Sequence, residues 1–205
     1  MERPRGSLLV LSGPSGVGKT TIARRLAKIP GIVRVTTATT RPPRPGEEDG
    51  CDYRFLARGP FEEAVARGEF LEHAEIDGNL YGTPREDVLR ELAEGRLVLL
   101  DVDVQGARSL RAAGLPALLV FVEPPSREEL RRRLEGRGSE DPGAVRRRLE
   151  RAEREMAQKG LYDVVVVNRD VGEAVAEIAA ELRKRNLLKE GAGAGPPPGR
   201  SRCST

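Results

Sequence analysis

Residues Gly13-Pro14-Ser15-Gly16-Val17-Gly18-Lys19-Thr20 fit G-x-x-x-x-G-K-[ST], the spacing of a phosphate-binding loop. The residue types carry the chemistry. Glycines let successive backbone N–H groups turn inward with no side chain in the way, which makes a nest for phosphate oxygens. Lys19 then reaches the β- and γ-phosphates of a nucleotide, and the Thr20 hydroxyl is a Mg²⁺ ligand. A second set of reactive groups closes the apolar run Leu97-Val98-Leu99-Leu100-Asp101-Val102-Asp103. Carboxylates at the end of a parallel strand fall beside such a loop. One of Asp101 and Asp103 serves the Mg²⁺ shell and the other faces a substrate. Arg41 and Arg44 form a third set, held three residues apart by Pro42, Pro43 and Pro45. A stiff arginine pair suits a dianionic phosphate, because each guanidinium donates two parallel hydrogen bonds. A solvated Pro-rich linker is the competing reading of the same residues.

These groups need a scaffold, and the pattern of the chain supplies an α/β one. Leu8 to Leu11 is an apolar run of buried-strand type, and Thr21 to Lys28 is a helix with Ile22, Ala23 and Leu26 on one face. Ile32 to Val35 is a second strand. Asp52 to Leu56 and Phe70 to Ile76 read as further strands, with a helix over Phe61 to Arg67 between them and a turn at Asp77-Gly78-Asn79 after them. Thr83 is the expected N-cap, and Pro84 the first residue, of a helix that ends at Gly95. Gln105 to Ala113 is a helix, Ala117 to Val122 a buried strand, and Ser126 with Glu129 a capping box. A second helix follows the glycines 136 and 138, with Val145, Leu149, Ala152 and Met156 on one face. Two Arg-rich helices hinged at glycines read as a lid over phosphates. An ordinary αα-hairpin with a basic surface competes with that reading. Asp163 to Asn168 is a last buried strand and Val171 to Arg185 a last helix, while the Gly- and Pro-rich residues from Glu190 to Thr205 are expected to be disordered.

A chain of 205 residues holds one α/β domain with a real core and small insertions. Arg greatly outnumbers Lys, which would suit nucleic acid, yet the net charge is only +3. Arg and Glu are moreover interleaved at helical spacing, from Glu128 through Arg133 and from Arg148 through Glu155, as on solvated helix faces. No apolar run reaches the length of a membrane span, and Met1 to Ser7 is too short and polar for a signal peptide. Cys203 falls in the tail, so no structural disulfide with Cys51 is expected and a reducing, cytoplasmic compartment is. His73 is the only histidine, without the companions a zinc site needs.

Several stretches in this order resemble guanylate kinases, the P-loop enzymes that phosphorylate GMP. They are Thr39-Thr40-Arg41-Pro42-Pro43-Arg44-Pro45-Gly46-Glu47, Gly50-Cys51-Asp52-Tyr53, Phe70-Leu71-Glu72-His73, Gly78-Asn79-Leu80-Tyr81-Gly82-Thr83 and Leu100-Asp101-Val102-Asp103-Val104-Gln105-Gly106, followed by Arg133-Leu134-Glu135-Gly136-Arg137-Gly138 and Val167-Asn168. The similarity runs from about Leu8 to Arg185. It implies a P-loop NTPase fold: a parallel-sheet core flanked by helices over residues 1–36 and 95–188, a GMP-binding insertion over 37–94, a helical lid near 137–148, and the tail 189–205 outside it. By the same resemblance Arg41, Arg44, Tyr53 and Tyr81 grip the GMP phosphate, with Thr37 and Glu47 beside them, and Glu72, Thr83 and Asp103 read guanine. Gly13 to Thr20, Arg133 and Asn168 hold ATP, Thr20 and Asp101 serve Mg²⁺, and Lys19, Arg44, Arg137 and Arg148 act on the transferring phosphoryl group. Two departures are visible: Thr37 stands where Ser is common, keeping the hydroxyl, and Asn168 is followed by Arg169 rather than Asp. Two other readings are open to a chain of this kind. One is a scaffolding module that binds protein partners, against which Lys19 and Thr20 speak. The other is a kinase for a different small metabolite, against which Glu72 with Asp103 speaks.

Overall fold

The computed structural model describes residues 5–135 and 142–188. Arg137, most of the glycine hinge and the tail therefore lie outside the described residues. Five strands, β1 (Ser7–Ser12), β2 (Ile32–Arg34), β7 (Leu97–Asp101), β8 (Ala117–Glu123) and β9 (Val164–Val167), form a parallel sheet in the order β2-β7-β1-β8-β9. A parallel sheet needs helices on both faces, which is why its strands are continuous apolar runs rather than alternating ones. Leu9, Leu11, Leu99, Val120 and Val122 point to one face, against Ile22 and Leu26 of α1 (Lys19–Leu26) and Ile178 and Leu182 of α7 (Val171–Lys184). Leu8, Val10, Val98, Leu100 and Leu119 point to the other, against Val88 and Leu92 of α3 (Arg85–Ala93) and Ala107 and Leu110 of α4 (Val104–Ala112).

Between β2 and β7 the chain builds a second, mixed sheet in the order β4-β3-β6-β5: β3 (Ala38–Thr39), β4 (Arg54–Phe55), β5 (Phe70–Ile76) and β6 (Asn79–Pro84). Helix α2 (Arg58–Ala66) covers it with a small core of its own, Ala38, Phe61, Ala64 and Phe70, in which the two phenyl rings stack at 4.5 Å. After β8, α5 (Arg127–Glu135) and α6 (Pro142–Met156) pack through Leu130, Leu134 and Ala152. Among the described residues no helix is long and apolar enough to cross a membrane.

Three local expectations need correction. Thr83 and Pro84 end strand β6 and do not open a helix at Thr83; Pro84 itself is the N-cap of α3. The hairpin partner β5 supplies this segment with ladder bonds, and the Thr83 hydroxyl donates to Glu72 rather than capping. Strand β7 stops at Asp101, because Asp103 caps α4 by accepting a hydrogen bond from Gly106 N at 2.8 Å. The expectation that Cys51 and Cys203 do not pair falls on Cys203, which lies outside the described residues. At Ser126 one half of the capping box forms, Glu129 N to the hydroxyl at 3.1 Å, while the Glu129 carboxylate pairs with Arg132 and Arg133.

Candidate active site

The loop between β1 and α1 has the backbone its glycines permit. Gly13 (φ 141°) and Gly18 (φ 100°) lie in left-handed territory, and both are crowded: a Cβ on Gly13 would meet Val122 O at 2.3 Å, and one on Gly18 would meet Asn168 Nδ2 at 2.6 Å. Gly18 caps α1 without a side chain, so the first N–H groups of the helix are left to face the loop's concavity, a position that favours anions. Lys19 curls over the loop, donating from Nζ to Gly13 O at 2.7 Å and Pro14 O at 3.2 Å. From below, Asn168 Nδ2 donates to Val17 O at 2.7 Å, and Arg133 donates to Val17 O and Asn168 O at 3.3 Å each. Val17, Arg133 and Asn168 thus fix the loop's shape, with Val17 wholly buried. The Asn168 Oδ1 is buried without a hydrogen-bond partner among the described residues.

Strand register places the acid at the loop's edge. Asp101 pairs with Leu11 across β7 and β1, and its Oδ2 accepts from the Thr20 hydroxyl at 3.0 Å. A hydroxyl and a carboxylate at that separation are the hard oxygen donors that Mg²⁺ takes when substrate phosphates supply the rest. Among the described residues there is no cluster of three or more His, Cys, Asp or Glu that would bind a metal independently of substrate.

Opposite the loop the second sheet presents a cationic wall. Both Glu47 carboxylate oxygens accept from Arg41 NH2, at 2.9 and 2.8 Å, and one also accepts from Arg44 N at 2.8 Å. Burial works against the Arg41 charge, but Glu47 more than offsets it and raises the guanidinium above its ordinary range. Arg41 lies over the rings of Tyr53 and Phe55, at 5.4 and 5.9 Å, and Tyr53 meets Tyr81 edge-on at 6.1 Å. Burial, with the Asp101 charge adding to it, pushes the Tyr53 hydroxyl up to about 12, so it is a donor at neutral pH.

The third wall is a buried carboxylate. Phe70, Glu72 and Ala74 occupy the inward face of β5, so Glu72 takes a position the strand period reserves for an apolar side chain. A register shift between Phe70 and Glu72 sets Glu72 opposite Thr83 on β6. There the Thr83 hydroxyl donates to Glu72 Oε1. Burial pushes the Glu72 carboxyl up to about 7; the nearby Asp103 charge raises it further and the Thr83 bond opposes. Gly106 of α4 admits this carboxylate, since a Cβ there would lie 2.5 Å from Glu72 Oε2.

These walls enclose one cavity of about 540 Å³. Gly13, Ser15, Gly16, Gly18, Lys19 and Thr20 line it from the loop side; Thr37, Arg41, Arg44, Tyr53, Glu72 and Tyr81 from the second sheet; Asp101, Asp103 and Arg148 close it. Pro14, Val17, Glu47, Thr83, Arg133 and Asn168 do not line it, and the last five support the residues that do. Sequence reasoning missed Gly106, Arg151 and Glu155. Arg151 sits one turn beyond Arg148 on α6, so its helical spacing was a usable signal; the contact of Gly106 with Glu72 had none.

Comparison with known proteins agrees with this geometry. A family model described as guanylate kinase matches residues 5–185. The guanylate kinase of Thermobifida fusca is 52% identical over 174 residues, 84% of this chain and 89% of that protein. That of Symbiobacterium thermophilum is 49% identical over 195 residues, covering 93% and 92%. The crystal structure of guanylate kinase from Anaplasma phagocytophilum superposes with a TM-score of 0.76 at 35% identity, covering 92% of this chain and 90% of that one. With a matching loop, two sheets facing one cavity and half-identical relatives over most of its length, the chain belongs to the guanylate kinase family.

Proposed function

We propose that the chain transfers the γ-phosphoryl group of ATP to GMP, giving ADP and GDP. The observation that carries this reading is Glu72, a carboxylate buried opposite Thr83 and near Asp103 in the same cavity as the phosphate loop. Guanine offers N1–H and N2 as donors and O6 as acceptor. Glu72 and Asp103 are the matching acceptors, and the Thr83 hydroxyl, which donates to Glu72 in this structure, would turn its one proton to O6 when guanine N–H groups take its place on Glu72; adenine would set its N1 lone pair against a carboxylate. On this reading residues 37–94 act as the GMP subdomain, 1–36 and 95–188 as the ATP-binding core, and the segment near 137–148 as a lid. Its compartment is the cytoplasm, and its partners are ATP and GMP rather than nucleic acid or membrane.

The attacking oxygen belongs to the GMP phosphate and is already anionic at neutral pH, so no general base is required. What remains is positioning and charge. Arg41, Arg44, Tyr53 and Tyr81 hold the acceptor phosphate, with Thr37 alongside and Glu47 fixing the two arginines. Gly13 to Thr20 hold the donor phosphates. Lys19, Arg148 and Arg137 offset the charge of the transferring group. Thr20 and Asp101 would hold Mg²⁺, which supplies charge neutralisation at the β- and γ-phosphates. Coupled assay of ADP release with GMP, AMP, UMP and CMP tests the reading. GMP is expected to be preferred over AMP by roughly 10⁴ or more in kcat/KM. Comparable use of AMP would overturn it.

A further inference from the structure

Arg151 of α6 faces three carboxylates from three elements. Its Nε donates to Glu155 Oε1 at 2.8 Å, its NH1 to Asp77 Oδ1 at 3.2 Å, and its NH2 lies 3.7 Å from Asp103 Oδ2. The strengths differ. Glu155 is 8% exposed and fixes the guanidinium plane from within the fold. Asp77, at the left-handed tip of the β5–β6 turn, is well exposed, so its contact is worth least. Asp103 is largely enclosed, its other oxygen held by Gly106 N at 2.8 Å. Both oxygens of Asp103 therefore have an assigned direction: one toward the start of α4, the other toward α6. Arg151 is thus a cation beside Asp103, on the cavity that Asp103 shares with Glu72.

We infer that Arg151, held by Glu155, is a positioning residue for base recognition: it aims the Asp103 carboxylate into the pocket and ties α6 to the second sheet at Asp77. The helix that carries Arg148 toward the phosphates is thereby joined to the residues facing the base, one helical turn away. A flexible lysine cannot replace this fork, because the planar guanidinium is what divides its donors among fixed acceptors.

The inference rests on the reading of this cavity as a GMP pocket, and the test separates the two. The kcat/KM for GMP is measured for the parent protein, Arg151→Ala, Asp103→Asn and the double variant, with melting temperatures for all four. Arg151→Ala should lose roughly tenfold, mostly in KM, while the same change in the Asp103→Asn background should lose less than about threefold, since its target is gone. Glu155→Gln should reproduce the KM effect of Arg151→Ala from the other end of the relay. Equal losses in both backgrounds would overturn the inference, because a merely structural arginine multiplies through any variant. A Glu155→Gln protein with unchanged GMP KM would do the same. A parent protein that uses AMP as readily as GMP would instead sink the GMP reading itself.

Discussion

Replacing Glu72 by Gln should make the protein more stable and a worse enzyme at the same pH. Glu72 ordinarily titrates at 4.5, and burial, reinforced by Asp103, pushes it up to about 7 in the fold. Between those values the folded protein keeps a proton that the unfolded chain gives up. Stability therefore falls as pH rises through this window and levels off above about 7. The gap, at 1.36 kcal/mol per pH unit, corresponds to about 3 kcal/mol. Gln keeps the shape and an acceptor for the Thr83 hydroxyl but never ionises. Its advantage over Glu should thus be near zero at pH 4.5 and reach about 3 kcal/mol at pH 8, or roughly 6–12 °C in melting temperature for a chain of this size. Function should move the other way. An ionised acceptor facing guanine N1 and N2 is worth more than a neutral one, so GMP kcat/KM should fall by about 2–4 kcal/mol. The assays are thermal melts of both proteins from pH 4.5 to 8 and steady-state kinetics with GMP, IMP and AMP. A melting difference that does not grow with pH refutes the burial argument. An unchanged GMP to AMP ratio refutes the role of Glu72 in base selection.

Lys19→Ala should lower turnover by about 10³ or more with little change in melting temperature, because among the described residues Lys19 bonds only loop carbonyls; near-normal turnover would remove the loop from the mechanism. Arg148→Ala should lower kcat more than it raises the GMP KM, as expected of a cation acting on the transition state; a pure KM effect would assign it to ground-state binding. Gly106→Ala puts a methyl 2.5 Å from Glu72 Oε2 and should cost roughly 10- to 100-fold in GMP kcat/KM by displacing the carboxylate; unchanged kinetics would show that the pocket gives way elsewhere.

The parallel core was legible because its central strands are buried on both faces, so the runs from Leu8 to Leu11 and from Leu97 to Leu100 need no alternation to be recognised. The second sheet was harder. Strands β3 and β4 are two residues each, too short for any period to show, and they exist because Thr39 and Arg54 find ladder partners far along the chain. Thr83-Pro84 carries the local chemistry of a helix start, and hairpin pairing overrode it. Strand β5 alternates imperfectly, and on the proposed reading the reason is functional. Leu71 stands on the less buried side and Glu72 on the buried side, and that inversion marks the charged group the site is built around. The loop residues Gly13 to Thr20 were readable from spacing alone, whereas the supporting roles of Glu47, Asn168 and Gly106 depend on contacts that no sequence interval encodes.

Three of the cations at or under the site are already engaged by the protein's own oxygens: Lys19 by Gly13 and Pro14, Arg41 by Glu47 and Pro42, Arg133 by Glu129 and Val17. Each engagement has a different consequence for a phosphate entering the cavity. Arg41 has five N–H donors and spends only part of them on Glu47 and Pro42, so it can add a phosphate without releasing its support. Lys19 spends two of three donors on the loop, and it is a point charge on a flexible stem, so it can follow a phosphate by rotation rather than by breaking the loop. Arg133 grips the underside of the loop, and a ligand meets its effect through the shape of the loop. On the proposed reading, preorganisation is thus greatest where geometry must be exact at binding, in the Arg41–Glu47 pair, and least at Lys19, whose charge would follow the group that moves between two nucleotides.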